Sequence, residues 1–193
     1  PSRVLHTARL TLRILSPAAR DAWLACQREN EAFWAPTSPH RPPGVLLEEQ
    51  FTEQVHKAQA GLRDGLSYRF ALWQGPRMIG FVSANNLVRG AYQNAALGWR
   101  IGAAAQGHGL AFEAVRAVVR FCFASPPVGL GLHRVEANIM PRNARSLALA
   151  QRLGMRREGL AKAMINIAGR WEDHATFALL ADEAHVLEND EED

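Results

Sequence analysis

The stretch QGHGLAFEAV, residues 106–115, sets Gly107 and Gly109 one residue apart and then runs into a helical pattern. A strand ending near Gly102, a glycine-bearing loop and a helix start together make an anion site. The first helix N–H groups lack partners within the helix, the helix dipole favours negative charge there, and glycine lets a phosphate approach the backbone. The lysine and hydroxyl of GxxxxGK[ST] are missing, which disfavours a nucleoside-triphosphate loop. As a GxGxxG pattern the stretch fails at Phe112. Roughly half the chain also precedes it, whereas a doubly wound dinucleotide fold carries its fingerprint after the first strand.

Other residues of chemical interest are sparser. MPRNARS places Asn143, a preferred helix cap, three residues before Ser146. Glu136 alternates with apolar neighbours on an expected strand, so it faces either a cleft or water. Glu113 stands three residues before Arg116, the spacing of an ordinary pair on a helix surface. Glu172, Asp173 and His174 form a polar run, and the alternation of His174 with Ala175 and Phe177 suits a structural histidine. No metal centre is expected, because the seven histidines are scattered without HExxH spacing and no CxxC occurs. There is no GxSxG elbow for a serine nucleophile either.

Positioning these groups requires a mixed framework. Leu10, Leu12 and Ile14 alternate as in a half-buried strand, and Ser16-Pro17 opens a helix with serine as cap and proline at the first position. Residues 32–44 hold Pro36, Pro39, Pro42 and Pro43, and predict a long surface loop. Leu47, Phe51, Val55, Ala58 and Leu62 share one face of a second helix. Three strands follow as a meander, with turns at Gln74-Gly75-Pro76-Arg77 and near Arg89-Gly90. Next come the glycine stretch with its helix to about Phe123, a strand through Val135, Ala137 and Ile139, and a helix from Asn143 that stops at Gly154. Two final strands, 155–166 and 171–180, are joined at Ala168-Gly169. The order β-α-α-β-β-β-α-β-α-β-β is an α/β class with a mixed sheet of about seven strands and helices on both faces. A single domain over 1–182 and an acidic, flexible tail over 183–193 are expected.

With 48% hydrophobic residues spread over 193 positions, the chain can bury an adequate core without metals or disulfides. Cys26 and Cys122 lie in apolar helical runs and read as buried thiols. No apolar stretch is long enough to span a membrane, and residues 1–15 lack the apolar centre of a signal peptide, so a cytoplasmic protein is expected. Five acidic residues between Glu188 and Asp193 mask a body more basic than the net +3. Its cations are almost all arginines, since Lys57 and Lys162 are the only lysines, and arginine's planar fork suits phosphate and carboxylate partners.

Gln106-x-x-Gly109-x-Ala111 resembles the Q/R-x-x-G-x-G/A loop of the GNAT acetyltransferases. The segments NNLVRGAYQNAALGWRIGAAAQGHGLAFEAV, HRVEANIMPRNARSLALAQRLGMRREG and NIAGRWEDHATFAL are similar to the RimJ/RimL-type protein N-terminal acetyltransferases of that superfamily. The resemblance implies the GNAT fold, acetyl-CoA as cofactor, and direct attack of an amine on its thioester. It implies that Ile101, Gln106, Gly107, His108, Gly109, Leu110 and Ala111 line the cofactor, the last six of them around its pyrophosphate. It also puts Asn143 on the pantetheine arm and Ser146 near the sulfur as proton donor; the candidate bases, Glu136 with Glu113 and the Glu172-Asp173-His174 run as alternatives, come from the residues themselves. The acceptor it implies is a protein N-terminus, an alanine of a ribosomal protein. A small-molecule amine acceptor, or a non-catalytic acetyl-CoA or ribosome-binding module, stays open as an alternative. The function needs neither membrane nor direct nucleic-acid binding, and either a monomer or a homodimer is compatible with it.

Overall fold

The apolar alternations become eight strands and four α-helices in a computed structural model that describes residues 3–39 and 44–187. The strands are β1 (Val4–His6), β2 (Thr11–Ile14), β3 (Tyr68–Gln74), β4 (Arg77–Val88), β5 (Asn94–Ile101), β6 (Arg134–Ile139), β7 (Arg156–Ile167) and β8 (Arg170–Leu180). The helices are α1 (Arg20–Trp34), α2 (Leu47–Asp64), α3 (Leu110–Phe123) and α4 (Ala144–Arg152). All eight strands form one sheet in the order β1-β2-β3-β4-β5-β6-β8-β7, antiparallel throughout except for the parallel contact of β5 with β6.

One face of the sheet buries Phe70, Leu72, Val82, Leu97 and Val135 against Val115, Val118 and Val119 of α3 and Ala150 of α4. The other buries Ala71 and Met78 against Trp23 and Leu24 of α1 and Phe51, Val55 and Ala58 of α2. Covering both faces with helices keeps both apolar rows of β3 and β4 out of water where the helices lie, which is why burial is continuous over Phe70–Leu72 and Met78–Gly80. Phe51, Val55 and Ala58 of the expected α2 stripe are buried, while Leu47 and Leu62 lie at its margins.

Three expectations need correction. The additional strand β1 pairs antiparallel with β2 and brings the count to eight; with only three residues it is too short to show a period. The proline-rich segment is not loop throughout, because α1 continues to Trp34 and a 3-10 turn covers Ala35–Thr37. Trp34 is buried, and that burial extends the helix up to the first proline. Residues 40–43 lie outside the described residues. The first residues of the expected tail are structured, since Ala181–Leu187 form a 3-10 helix in which Glu183 accepts hydrogen bonds from Arg156 and from the backbone amide of Leu180. Residues 188–193 lie outside the described residues. Ser16 does precede a helical turn with Pro17 at its start, but its side chain makes no capping bond.

Candidate active site

The strands β5 and β6 part company partway along. They pair only over residues 94–97 against 134–137, yet β5 runs on to Ile101 and β6 to Ile139, still held by β8. A slot therefore opens through the sheet beyond the Leu97–Ala137 pair. Gly102 donates its N–H to Ile79 on the β4 side, and backbone groups alternate sides along a strand. Trp99 consequently turns its N–H and C=O toward the slot. The carbonyl of Ile101 also faces that way and accepts hydrogen bonds from Trp34 Nε1 at 3.0 Å and Gln106 Nε2 at 2.9 Å. The Ile101 side chain is buried in the core, so any contact with a ligand is through its backbone.

At the end of the slot the chain makes a 3-10 turn at Ala103–Ala105, then the glycine loop, then α3. Gly107 and Gly109 have φ of +78° and +73°, the left-handed region that favours glycine. Gly109 occupies the cap position of α3 and brings no side-chain oxygen to its first amides. The loop is braced from outside, where Arg9 Nη1 donates to the His108 carbonyl at 2.9 Å and Asn30 Oδ1 accepts from Ala103 N at 2.8 Å. An uncapped helix start behind two left-handed glycines is an anion cradle with its donors already oriented. These features fit a pyrophosphate at α3 and an amide-bearing arm in the slot.

Across the slot stands the start of α4. Asn143 caps it, its Oδ1 accepting from Ser146 N at 3.2 Å. Ser146 Oγ in turn accepts from Trp99 Nε1, also at 3.2 Å. An indole N–H is only a donor, so it takes up the oxygen's acceptor role and leaves the serine O–H free to point into the slot. Trp99 thus orients the hydroxyl; the two residues are 47 apart in the chain, and nothing local marks the pair. A cleft of ≈ 180 Å³ collects Ile101, Gln106, Ala111, Asn143 and Ser146 with Phe33, Trp34, Trp99, Arg100 and Arg145.

The remaining candidates lie elsewhere. Glu136 sits one pair before the strands part, opposite Ala96, on the face away from α3, with Arg134 at 3.8 Å; it does not line the cleft. Glu113 does not pair with Arg116 on the helix surface. It accepts from Thr7 Oγ1 at 2.6 Å, Arg9 N at 2.9 Å and Arg9 Nε at 2.6 Å, and so ties the N-terminal segment to α3. Burial pushes the Glu113 carboxyl up, but the bonds from Thr7 and Arg9 outweigh it and hold the group below the usual carboxylate range. Glu172 pairs with Arg142 at 2.7 Å, Asp173 with Lys162 at 2.8 Å, and His174 is buried with Nδ1 against the Glu172 carbonyl. That run is structural. Burial pushes the Cys26 thiol to about 11 and the Cys122 thiol to about 12, so neither supplies a thiolate near neutral pH. Among the described residues no group of His, Cys, Asp and Glu could hold a metal, and no helix is long and apolar enough to cross a membrane.

Known proteins resemble this chain in sequence and fold. Residues 9–156 match the family model described as the acetyltransferase (GNAT) domain. The chain is 35% identical over 159 residues to a probable N-acetyltransferase, YjcK, of Bacillus subtilis, covering 81% of this chain and 86% of that protein. It is 34% identical over 183 residues to the ribosomal protein uS5-alanine N-acetyltransferase of Escherichia coli, covering 93% of this chain and 91% of that one. Among solved structures, Mycobacterium smegmatis RimJ in complex with CoA-disulfide superposes with a TM-score of 0.82 at 27% identity, over 97% of this chain and 91% of that one. The chain belongs to the GNAT acetyltransferase family and is an acyltransferase whose acetyl donor is acetyl-CoA.

Proposed function

We propose that this acetyltransferase modifies the N-terminal amine of a protein, with an alanine terminus of a ribosomal protein as its acceptor. The observation that carries the reading is a slot open to both faces of the sheet. The cradle at α3 and the Ser146 hydroxyl stand on the α3/α4 side, while Phe33, Trp34 and Arg100 approach from the α1 side. Donor and acceptor then meet without passing through each other's site. The name of the Escherichia coli relative supports the choice of acceptor.

Acetyl-CoA supplies an activated acetyl thioester. On this reading Gln106 holds the glycine loop against the end of β5, the Gly109–Phe112 amides receive the pyrophosphate, and the edge of β5 at Trp99 receives the arm. Gly107 and Leu110 shape the cradle, His108 contributes backbone, and Ala111 and Asn143 flank the entrance to the slot. Ser146 gives its proton to the departing sulfur and takes up the one that the attacking nitrogen loses as the amide forms, so its hydroxyl is restored. An α-amine, with an ordinary pKa of about 7.7 to 8.0 against about 10.4 for lysine, sheds its proton readily near neutral pH. Cations beside it disfavour its protonated form further, and Arg100 and Arg145 face the cleft it would enter. A weak base or a chain of water therefore suffices, and Glu136, outside the cleft and one pair before the strands part, is reached only through such a chain. Transfer is direct from donor to acceptor, since both thiols are buried and protonated.

Ser146→Ala is expected to lower kcat about tenfold with the KM of either substrate little changed, below the roughly 10²- to 10⁴-fold typical of acid–base groups because a thiolate departs easily. Trp99→Phe should act in the same direction and more weakly, because the hydroxyl remains but loses its orienting donor. Steady-state rates of thiol release measure both. The acceptor assignment is tested by incubating the enzyme and acetyl-CoA with peptides bearing alanine, serine or methionine N-termini, and with an N-terminally blocked peptide containing lysine. A mass gain of one acetyl group confined to free N-termini, greatest for alanine, is the expected result. Acetylation of the blocked peptide at its lysine instead would overturn the assignment.

A further inference from the structure

Three arginines stand at the acceptor end of the cleft, and they are not equivalent. Arg142, on the rim, is satisfied by Glu172 at 2.7 Å and by the Pro36 carbonyl at 3.1 Å. Arg100 and Arg145 line the cleft itself, and among the described residues neither has a carboxylate partner or a hydrogen bond. Each is held instead against aromatic rings. The Arg100 guanidinium lies 4.3 Å from the Trp34 ring centre and 5.4 Å from that of Phe81, and Arg145 lies 5.3 Å from that of Phe33. Burial pushes the Arg100 pKa down to about 10, so the side chain still carries its charge at neutral pH.

A partly desolvated cation without a counterion is costly unless something arrives to pair with it. Ring stacking holds a guanidinium in place while leaving its five donors unspent, and that planar fork matches a carboxylate. Arg100 is on the α1 face of β5, opposite to the side of Trp99 and Ser146, so its position is on the acceptor's path rather than the thioester's.

From this we infer that Arg100 and Arg145 are specificity-determining residues that select acceptors carrying an acidic side chain in one of the two positions after the acetylated residue. The inference rests on the protein N-terminus being the acceptor. An extended peptide advances about 3.3 to 3.6 Å per residue, so an Asp or Glu at those positions stays within reach of groups that line one small cleft. Discrimination comes from charge: an acidic chain supplies a counter-charge to two cations, a neutral chain supplies none, and a basic chain is repelled.

The test uses the full-length enzyme, acetyl-CoA and alanine-terminated peptides that differ only at positions two and three, with Glu, Gln or Lys there. The Glu peptides should show kcat/KM higher than the Gln peptides by about tenfold or more, chiefly through KM, and the Lys peptides should fall below both. In Arg100→Met and Arg145→Gln the ratio of Glu to Gln peptides should fall toward one; Arg145 is exposed, so its replacement does not threaten the fold. Equal rates on all peptides, or an unchanged ratio in both variants, overturn the inference and leave the N-terminal assignment standing. A rise in the KM for acetyl-CoA without a change in peptide ratio also overturns it, because the arginines would then serve the cofactor. Failure to acetylate any peptide overturns the N-terminal assignment and the inference with it.

Discussion

Gly109→Trp is expected to abolish measurable acetyl-CoA binding in calorimetry, a loss of at least about 100-fold, while the protein stays folded. The fold should survive because the strain is local. A residue with a side chain at φ +73° costs roughly 1 to 2 kcal/mol, a fall in Tm of a few degrees for a chain of this size. The ligand site has no such margin. Gly109 caps α3 without a side-chain oxygen, and a Cβ built there already lies 3.5 Å from Arg9 Nη2, so a larger side chain must turn across the helix start where the amides are exposed. Gly107→Ala provides the comparison. Its φ of +78° imposes similar backbone strain, but a Cβ there meets nothing within 4 Å. Affinity lost at 109 and largely kept at 107 would assign the loss to the blocked cradle rather than to strain. Undiminished affinity in Gly109→Trp would sink the placement of the cofactor at this loop.

What the sequence discloses about this site divides along the length scale of the interactions. The cradle is local: a strand end, two glycines and a helix start are contiguous, and the loop they predict is the loop observed. The turns at Gly75-Pro76 and Ala168-Gly169 and the stop at Gly154 are equally local, and each glycine has the positive φ its turn requires. The slot is another matter. Nothing in LGWRIG or VEANIM marks where β5 and β6 cease to pair, because parting is decided by what each strand packs against on its other edge. Trp34 reaches Ile101 across 67 positions and Asn30 reaches Ala103 across 73, so the elements that lock the end of β5 are not legible from its own residues. Arg100 carries one local signal: a charged residue between Trp99 and Ile101 on a strand has to meet something, and here it meets two aromatic rings. Glu113 left a misleading one, since helical spacing to Arg116 is the commonplace outcome and the tie to Thr7 and Arg9 spans more than 100 residues.

That tie is where stability and cofactor binding should prove to be linked. Glu113→Ala removes the acceptor of three hydrogen bonds and a close contact with Arg9 Nη2 at 2.6 Å, and leaves Thr7 and Arg9 with donors that no longer meet a carboxylate. For a carboxylate whose side chain is 16% exposed, the expected cost is about 2 to 3 kcal/mol, a fall in Tm of roughly 4 to 12 °C measured by calorimetry at neutral pH. The pH dependence follows from the direction of the shift. The folded-state pKa lies below the ordinary glutamate value, so the charged form's contribution is fully present above about 4.3 and is lost as pH falls through the lowered folded value. The stability gap between wild type and Glu113→Ala should therefore stay level from neutral pH down to that point and narrow below it. A gap that widens toward acid would contradict the assignment of a lowered pKa. The functional consequence runs through Arg9, whose Nη1 holds the His108 carbonyl within the cradle. Without Glu113 that brace loses its own anchor, the glycine loop must be ordered at the moment of binding, and the KM for acetyl-CoA is expected to rise about five- to tenfold with kcat little altered. A matched fall in kcat instead would mean that Glu113 acts on the chemistry, which its place on the outer side of α3, bonded to Thr7 and Arg9, argues against.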